Sequence, residues 1–342
     1  MSSIENTRVD PETREAFARF FEGTPVSADI IDTSRGEEDF RNTVIVTTDG
    51  GEKFVLKFAA NDFTFPDKIR VWQRTVEEYR ALGYYCPRIF CDKNGDFPRM
   101  EYHGHTCCVL AEEYSVYRSL EDRSSADEKR MEDEYNKYLT DIWSMTAKVA
   151  ARRLDYTEYP SAFCLFETFC PSDKTDEVLE NALEWKKTAD ALPKEFSARA
   201  RRIWEAWSAN RDALQKVYSG LPTSVFQADL NATNVLVDDE GHFMGVYDFN
   251  LCGREVFLNY LMRENDSDTI PEALRISSEH YEFCWEEKAA AQLMFRCLKP
   301  LWYPRVRELK DAGSDPEKIS ASLDKTEELL ASDIDFPGFM SR

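Results

Sequence analysis

Residues 225–250 read VFQADLNATNVLVDDEGHFMGVYDFN, and the rest of the chain is best understood outward from this stretch. Asn234-Val235-Leu236-Val237 and His242-Phe243-Met244-Gly245-Val246-Tyr247 are two apolar runs on either side of an acidic turn, Asp238-Asp239-Glu240-Gly241. A turn of that composition, closed by glycine, predicts a tight reversal between strands. A hairpin returns the chain to its starting point, so Asp248 is brought back beside Asn234, and Asp229 lies on the loop just ahead of the first strand. Three oxygen-bearing side chains thus converge. One carboxylate and one amide oxygen suit Mg²⁺, which takes few protein ligands and completes its shell with water and phosphate oxygens. The other carboxylate is left to accept a hydroxyl proton.

Asp229-Leu230-Asn231-Ala232-Thr233-Asn234 together with Asp248-Phe249 resembles the catalytic core of the aminoglycoside phosphotransferase and choline kinase group, the small-molecule branch of the protein-kinase-like fold. The resemblance implies that Asp229 is the catalytic base and that Asn234 and Asp248 hold magnesium. Two positions depart from the family pattern. Gln227 stands where a histidine is usual, and Asn250 stands where glycine or a second acid often follows Asp-Phe. Glutamine still donates and accepts hydrogen bonds, so the first change bears on support of the loop.

At 342 residues the chain is long enough for about two lobes, and 42% apolar and 13% aromatic residues mark it as globular. With 43 basic against 64 acidic residues the net charge is −21, which disfavours nucleic acid as a partner and leans toward an amine-bearing acceptor. The N-terminus is polar, and no apolar run approaches the roughly 18 residues that span a bilayer. A cytoplasmic protein without membrane contact is expected. The nine cysteines, Cys86, Cys91, Cys107, Cys108, Cys164, Cys170, Cys252, Cys284 and Cys297, form no C-x-x-C pair, so reduced thiols are expected. His103 and His105 have no zinc-ligand spacing around them.

Along the chain, residues 10–22 carry apolar positions at helical spacing. Three strands follow: Ala28 to Asp32, Thr43 to Thr48, and Lys53 to Phe58 after the turn at Asp49-Gly50-Gly51. In the family the third strand carries a lysine toward the nucleotide phosphates, and Val55-Leu56-Lys57 resembles that motif. Lys57 is preferred over Lys53 because it lies deep in an apolar run. The loop Ser34 to Thr43 is expected to cover the phosphates, with Asn42 and nearby amides as contacts. Residues 67–82 form a helix with an apolar stripe, and the partner of Lys57 is left open among Gln73, Glu77 and Glu78. Arg88 to Phe90 and Thr106 to Ala111 read as strands leading to Glu113 and Tyr114, whose main chain is expected to bind the nucleotide base as the hinge.

Beyond the hinge, Ala126 to Leu154 is expected as one long helix, Tyr156 to Pro171 as irregular chain that forms part of an acceptor pocket, and 175–190 and 193–219 as two more helices with Trp204, Trp207, Leu214 and Val217 in the core. Helices continue to about Leu330. Trp285, Glu286, Glu287, Trp302 and Tyr303 combine aromatic rings with carboxylates, and core tryptophans are favoured there over a cation cage.

The expectation is an α+β, protein-kinase-like fold: a small antiparallel, β-rich N-terminal nucleotide-binding lobe with its leading helix over 1–111, and the hinge with a larger, mainly helical lobe carrying the catalytic loop and acceptor site over 112–342. The expected reaction is transfer of the γ-phosphoryl group of ATP or GTP, with Mg²⁺, to a hydroxyl of a small molecule. A nucleotide-binding regulatory pseudokinase is the alternative, kept open by Gln227 and Asn250. The acceptor, the choice of nucleotide and the oligomeric state, monomer or dimer, are left open.

Overall fold

The computed structural model describes residues 5–7, 9–124 and 128–341. The chain divides into two compact units: Met1–Lys137 with Cys170–Ser172 and Asp229–Gly253, and Tyr138–Phe169 with Asp173–Ala228 and Arg254–Arg342.

The first unit is built on an antiparallel sheet. Its strands are β1 (Glu5–Thr7), β2 (Pro25–Asp32), β3 (Phe40–Thr48), β4 (Lys53–Ala60), β5 (Ile89–Phe90), β6 (Arg99–Tyr102) and β7 (His105–Glu113), in the order β1-β2-β3-β4-β7-β5, with β6 also on β7. β1 and β6 were not anticipated from the sequence; each is short and lies at the periphery of the sheet. Helix α1 (Pro11–Phe20) starts where the Asp10 carboxylate accepts the Thr13 amide at 2.7 Å and Pro11 supplies a preset φ. It buries Ala16, Phe17 and Phe20 in one core with Val44, Val46, Leu56, Phe58, Val109 and Ala111. Those sheet residues alternate along their strands, so one face is committed to the core and the other carries Thr43, Lys57 and Leu110, which are paired across β3, β4 and β7.

Helix α2 (Pro66–Ala81) buries Ile69, Trp72, Val76 and Tyr79. Tyr79 meets the ring of Phe249 edge-on at 5.3 Å, which ties this helix to the segment after Asp248. β8 (Arg118–Ser119) pairs with Leu236 and Val237 of the hairpin expected after Asn234, and the short helices α3 (Leu120–Ser124) and α4 (Glu128–Tyr135) follow it.

The second unit is mainly helical. It contains α5 (Leu139–Ala150), α6 (Glu177–Asp190), α7 (Lys194–Tyr218), a pair of strands formed by β9 (Thr223–Phe226) and β12 (Gly253–Val256), then α8 (Phe257–Glu264), α9 (Ile270–Ser277), α10 (Trp285–Leu298), α11 (Tyr303–Ala312), α12 (Pro316–Ala331) and α13 (Phe336–Phe339). The Arg211 guanidinium of α7 pairs with Asp176, whose other oxygen accepts the Leu179 amide at 2.9 Å and caps α6. Both side chains are almost fully buried, so each neutralises the other where water cannot.

Three sequence expectations are corrected here. The long helix expected over Ala126 to Leu154 is broken: a tighter turn at Asn136–Tyr138 separates α4 from α5, and the chain leaves α5 at Ala150. Its expected start at Ala126 lies outside the described residues. Val217 is 44% exposed, because only Leu214 and Tyr218 of that last turn face inward. Trp285 is 75% exposed at the first turn of α10 and is not a core residue.

Candidate functional site

The hairpin forms where the sequence predicts it. β10 (Val235–Val237) and β11 (Phe243–Val246) pair antiparallel, closed by Asp238, whose carboxylate and main chain both bond to His242 across the turn. Gly241 takes φ +89°, which glycine alone adopts without penalty. The Tyr247 amide donates to the Asn234 carbonyl at 3.1 Å, so Asp248 leaves the hairpin directly beside Asn234. Gly245 has a separate reason for its identity. Tyr85 bonds to the main chain of Met244 and Val246, and a Cβ at Gly245 would stand 1.9 Å from the Tyr85 carbonyl oxygen.

The loop ahead of the hairpin holds its carboxylate with amides. Asn231 Nδ2 donates to Asp229 Oδ1 at 3.0 Å, and Asn234 Nδ2 donates to the Asp229 carbonyl at 2.8 Å and to Oδ2 at 3.4 Å. An amide whose nitrogen is committed in this way turns its oxygen to the other side, and Asn234 is buried at 4% exposure. Asn231 is a residue the sequence reading missed, although its place two positions after Asp229 is the spacing of an Asx contact. Asp248 has φ +60° and ψ +66°, a left-handed conformation costly for a residue with a Cβ and a mark of functional loops.

Lys57 stands on the non-core face of β4. Its ammonium lies 3.2 Å from Asp248 Oδ1 and 3.0 Å from Glu112 Oε1. Burial works to lower its pKa, but the two carboxylates outweigh burial and hold it above the ordinary lysine value. Burial also raises the Glu112 carboxyl above the usual range, against the opposing pull of Lys57. None of the three helix residues considered as partner forms this pair. Gln73 donates to the Ile89 carbonyl at 2.8 Å, Glu77 pairs with Arg88 at 3.4 Å, and Glu78 is engaged elsewhere. Glu112 was legible in principle: it is opposite Val55 in the β4–β7 register, hence diagonal to Lys57 on the same face.

Asn42 is a correction. It lies within β3 and not in the loop, and its register partner is Phe58, one residue from Lys57. Because side chains alternate, it points into the core on the face opposite Lys57, where it is 6% exposed. Glu113 ends β7 and Tyr114 follows it, 38% exposed beneath the Lys53 ammonium. The Glu113 amide donates to the Arg88 carbonyl at 2.8 Å, and its carboxylate receives the Arg88 amide at 3.2 Å. Gln227, two residues ahead of Asp229, is fully buried. All nine cysteines are free. Among the described residues no helix is long and apolar enough to cross a membrane.

Asp229, Asn234, Asp248, Lys57 and Glu112 thus fall in one unit, with two carboxylates around the lysine and the Asn234 amide anchored to Asp229. The model of the phosphotransferase enzyme family matches residues 32–258, well over half of the chain and the whole of this arrangement. This chain belongs to the phosphotransferase enzyme family. Members of such a family are transferases, and one solved structure agrees with this chain in fold. The microcompartment-associated aminopropanol kinase superposes with a TM-score of 0.53 at 14% identity, covering 93% of this chain and 94% of that one. An aminoglycoside phosphotransferase from Alicyclobacillus acidocaldarius gives 0.49 at 11% identity over 98% of this chain and 96% of that one. An amicoumacin kinase determined with AMP-PNP and Ca²⁺ gives 0.48 at 12% identity over 90% and 91%. No curated protein matches the chain. The family membership and the first of these structures make the fold protein-kinase-like, with an antiparallel sheet toward the N-terminus and helices toward the C-terminus.

Proposed function

We propose that this phosphotransferase moves the γ-phosphoryl group of ATP or GTP to a hydroxyl of a small molecule. The observation that carries the reading is the Lys57 ammonium held between Asp248 and Glu112 beside an Asn234 whose nitrogen is already committed to Asp229. Asn234 Oδ1 and the Asp248 carboxylate are oxygen donors of the kind Mg²⁺ prefers, and they are the residues that would hold it. When bound, the ion supplies neutralisation of charge on the phosphates. Lys57 binds the same phosphates from the sheet, and Glu112 fixes its position. Asp229, kept as an acceptor by two amide donors, orients the acceptor hydroxyl and takes its proton.

Residues 1–111 serve as the nucleotide-binding lobe, and 112–342 carry the hinge, catalytic loop and acceptor site. The adenine or guanine is read by the main chain at Glu113 and Tyr114. The Glu113 amide is spent on the Arg88 carbonyl, so the base is read by the rest of the main chain at these two residues.

The test is transfer of labelled γ-phosphate from each nucleotide, with Mg²⁺, to a panel of small hydroxyl compounds. The wild type is expected to form an alkali-stable phosphate ester with at least one acceptor. Nucleotide binding without any transfer across a broad panel would favour the regulatory pseudokinase instead.

A further inference from the structure

Residues 227–231, which carry the proposed base, have no regular secondary structure, and the tight turn Ala232–Asn234 leads from them into β10. Buried carbonyls in such a stretch need donors from outside it. The Asp229 carbonyl takes the Asn234 side-chain amide at 2.8 Å, and the Asn231 carbonyl takes the Asn234 main-chain amide at 3.0 Å. Between them, the Leu230 carbonyl takes the hydroxyl of Tyr135, the last residue of α4 and 95 positions earlier in the chain. Leu230 is fully buried, so water does not replace a lost donor there without cost.

The effect of that bond reaches Asp229 through planar geometry. The Leu230 carbonyl and the Asn231 N–H lie in one peptide plane, so a donor that fixes the first fixes the start of the second residue. Asn231 then acts twice. Its Oδ1 accepts the Thr233 amide at 2.9 Å, which opens the tight turn, and its Nδ2 donates to Asp229 Oδ1 at 3.0 Å. β8, α3 and α4 all pack against the same turn, so Tyr135 stands on a segment that is itself seated there. Tyr135, Leu230, Asn231 and Asp229 belong to the first unit.

We propose that Tyr135 is a positioning residue for phosphoryl transfer: its hydroxyl, through the Leu230 peptide and Asn231, sets the direction of the Asp229 carboxylate. The inference rests on the phosphotransfer reading above and adds a residue from α4 to the hairpin and its loop. A carboxylate that must meet a hydroxyl in line loses rate steeply when it is turned. Binding of the nucleotide phosphates, assigned to Lys57, Asn234 and Asp248, does not depend on that direction. A bond that only docked α4 would show itself in stability and not in the loop or in turnover.

The experiment compares the wild type with Tyr135→Phe, which keeps the ring and removes only the hydroxyl, with Asn231→Ala, and with the double variant. Amide hydrogen exchange over residues 227–235, without nucleotide, is expected to be at least about tenfold faster in Tyr135→Phe, with exchange in β3 and β4 unchanged. Transfer is measured with Mg²⁺ and whichever of ATP and GTP the wild type uses, to a hydroxyl compound it phosphorylates or to water as phosphate release. In Tyr135→Phe kcat is expected to fall by about fivefold or more, with the KM for nucleotide within about twofold of wild type. The double variant is expected to lose no more than the worse of the two single variants, because both act on one carboxylate by one route. Unchanged exchange over 227–235, a smaller fall in kcat, a larger change in KM, or single losses that multiply in the double variant would each overturn the proposal. A wild type that transfers phosphate to nothing, water included, removes the phosphotransfer reading and the catalytic part of this one with it, while the exchange result still decides whether Tyr135 sets the loop.

Discussion

The ammonium of Lys57 is 3.0 Å from Oε1 of Glu112, so the carboxylate that fixes this lysine comes from the adjacent strand and not from helix α2. The pair is diagonal across β4 and β7, and both side chains share the face opposite the α1 core. The rigid sheet therefore sets the position of the lysine. Movement of α2 need not disturb it.

This relationship yields the first prediction. Glu112→Gln keeps the shape and removes the charge, leaving Lys57 with Asp248 alone. The KM for nucleotide is expected to rise by about tenfold, in line with loss of one charge-assisted hydrogen bond. Glu78→Gln on α2 should leave it within about twofold of wild type. Steady-state kinetics of the two variants side by side decide the matter, and the opposite ranking would return the partner to the helix.

A second prediction concerns the proposed base. Asp229→Ala removes the proton acceptor but neither proposed metal ligand, so nucleotide affinity should be kept while kcat falls by about a thousandfold or more. Isothermal titration with nucleotide and a single-turnover assay measure the two parts. A variant as fast as wild type would exclude Asp229 from the role.

Lys299 makes stability depend on pH in a defined direction. Its pKa is about 8 in the folded protein against 10.5 ordinarily, so between those values the unfolded chain binds the proton that the folded chain does not. Stability contributed by this group rises as pH goes from 8 to 10.5, and the full cost of the buried charge is felt below 8. That cost is roughly 3 kcal/mol. Lys299→Met is therefore expected to be more stable than wild type at pH 7, with the difference closing above pH 10.5. Urea denaturation at both ends checks the sign.

Much of the site could be read from residue pattern. The hairpin from Val235 to Val246 announces itself through its turn chemistry, and Lys57 through its place in an apolar strand. Glu112 was passed over because it stands next to Glu113, where two acids after an apolar run look like the end of a strand entering a hinge. Only the register with Val55, a contact across the sheet, distinguishes them. Asn42 went astray because β3 begins at Phe40, and a shift of strand start decides which side chains belong to a loop. The break at Asn136–Tyr138 was invisible because apolar spacing continues across it, while the helical hydrogen bonds do not. Lys299 had no sequence signal: its character comes from Arg263 and Trp302, which meet it only in the folded chain.

Gly245 offers a test of how the hairpin is seated. Gly245→Ala would place a Cβ against the main chain of Tyr85 at a φ of +155°, and neither group is a flexible side-chain end. A loss of about 2–4 kcal/mol is expected, together with weaker nucleotide binding, because the same hairpin carries Asn234 and Asp248. Gly241→Ala, in the turn between the strands with φ +89°, should cost about 1 kcal/mol and leave binding unchanged. Denaturation and titration of both variants separate a general loss of stability from a displaced site.

The central claim is that Asn234 and Asp248 hold a metal on a nucleotide. The most direct measurement is a thermal-shift titration with ATP and with GTP, each with and without Mg²⁺, on the wild type and on Asp248→Ala. A rise in Tm that needs Mg²⁺ in the wild type and disappears in the variant is the predicted result. An equal Mg²⁺-dependent rise in Asp248→Ala, or no response of the wild type to either nucleotide at millimolar concentration, would contradict it.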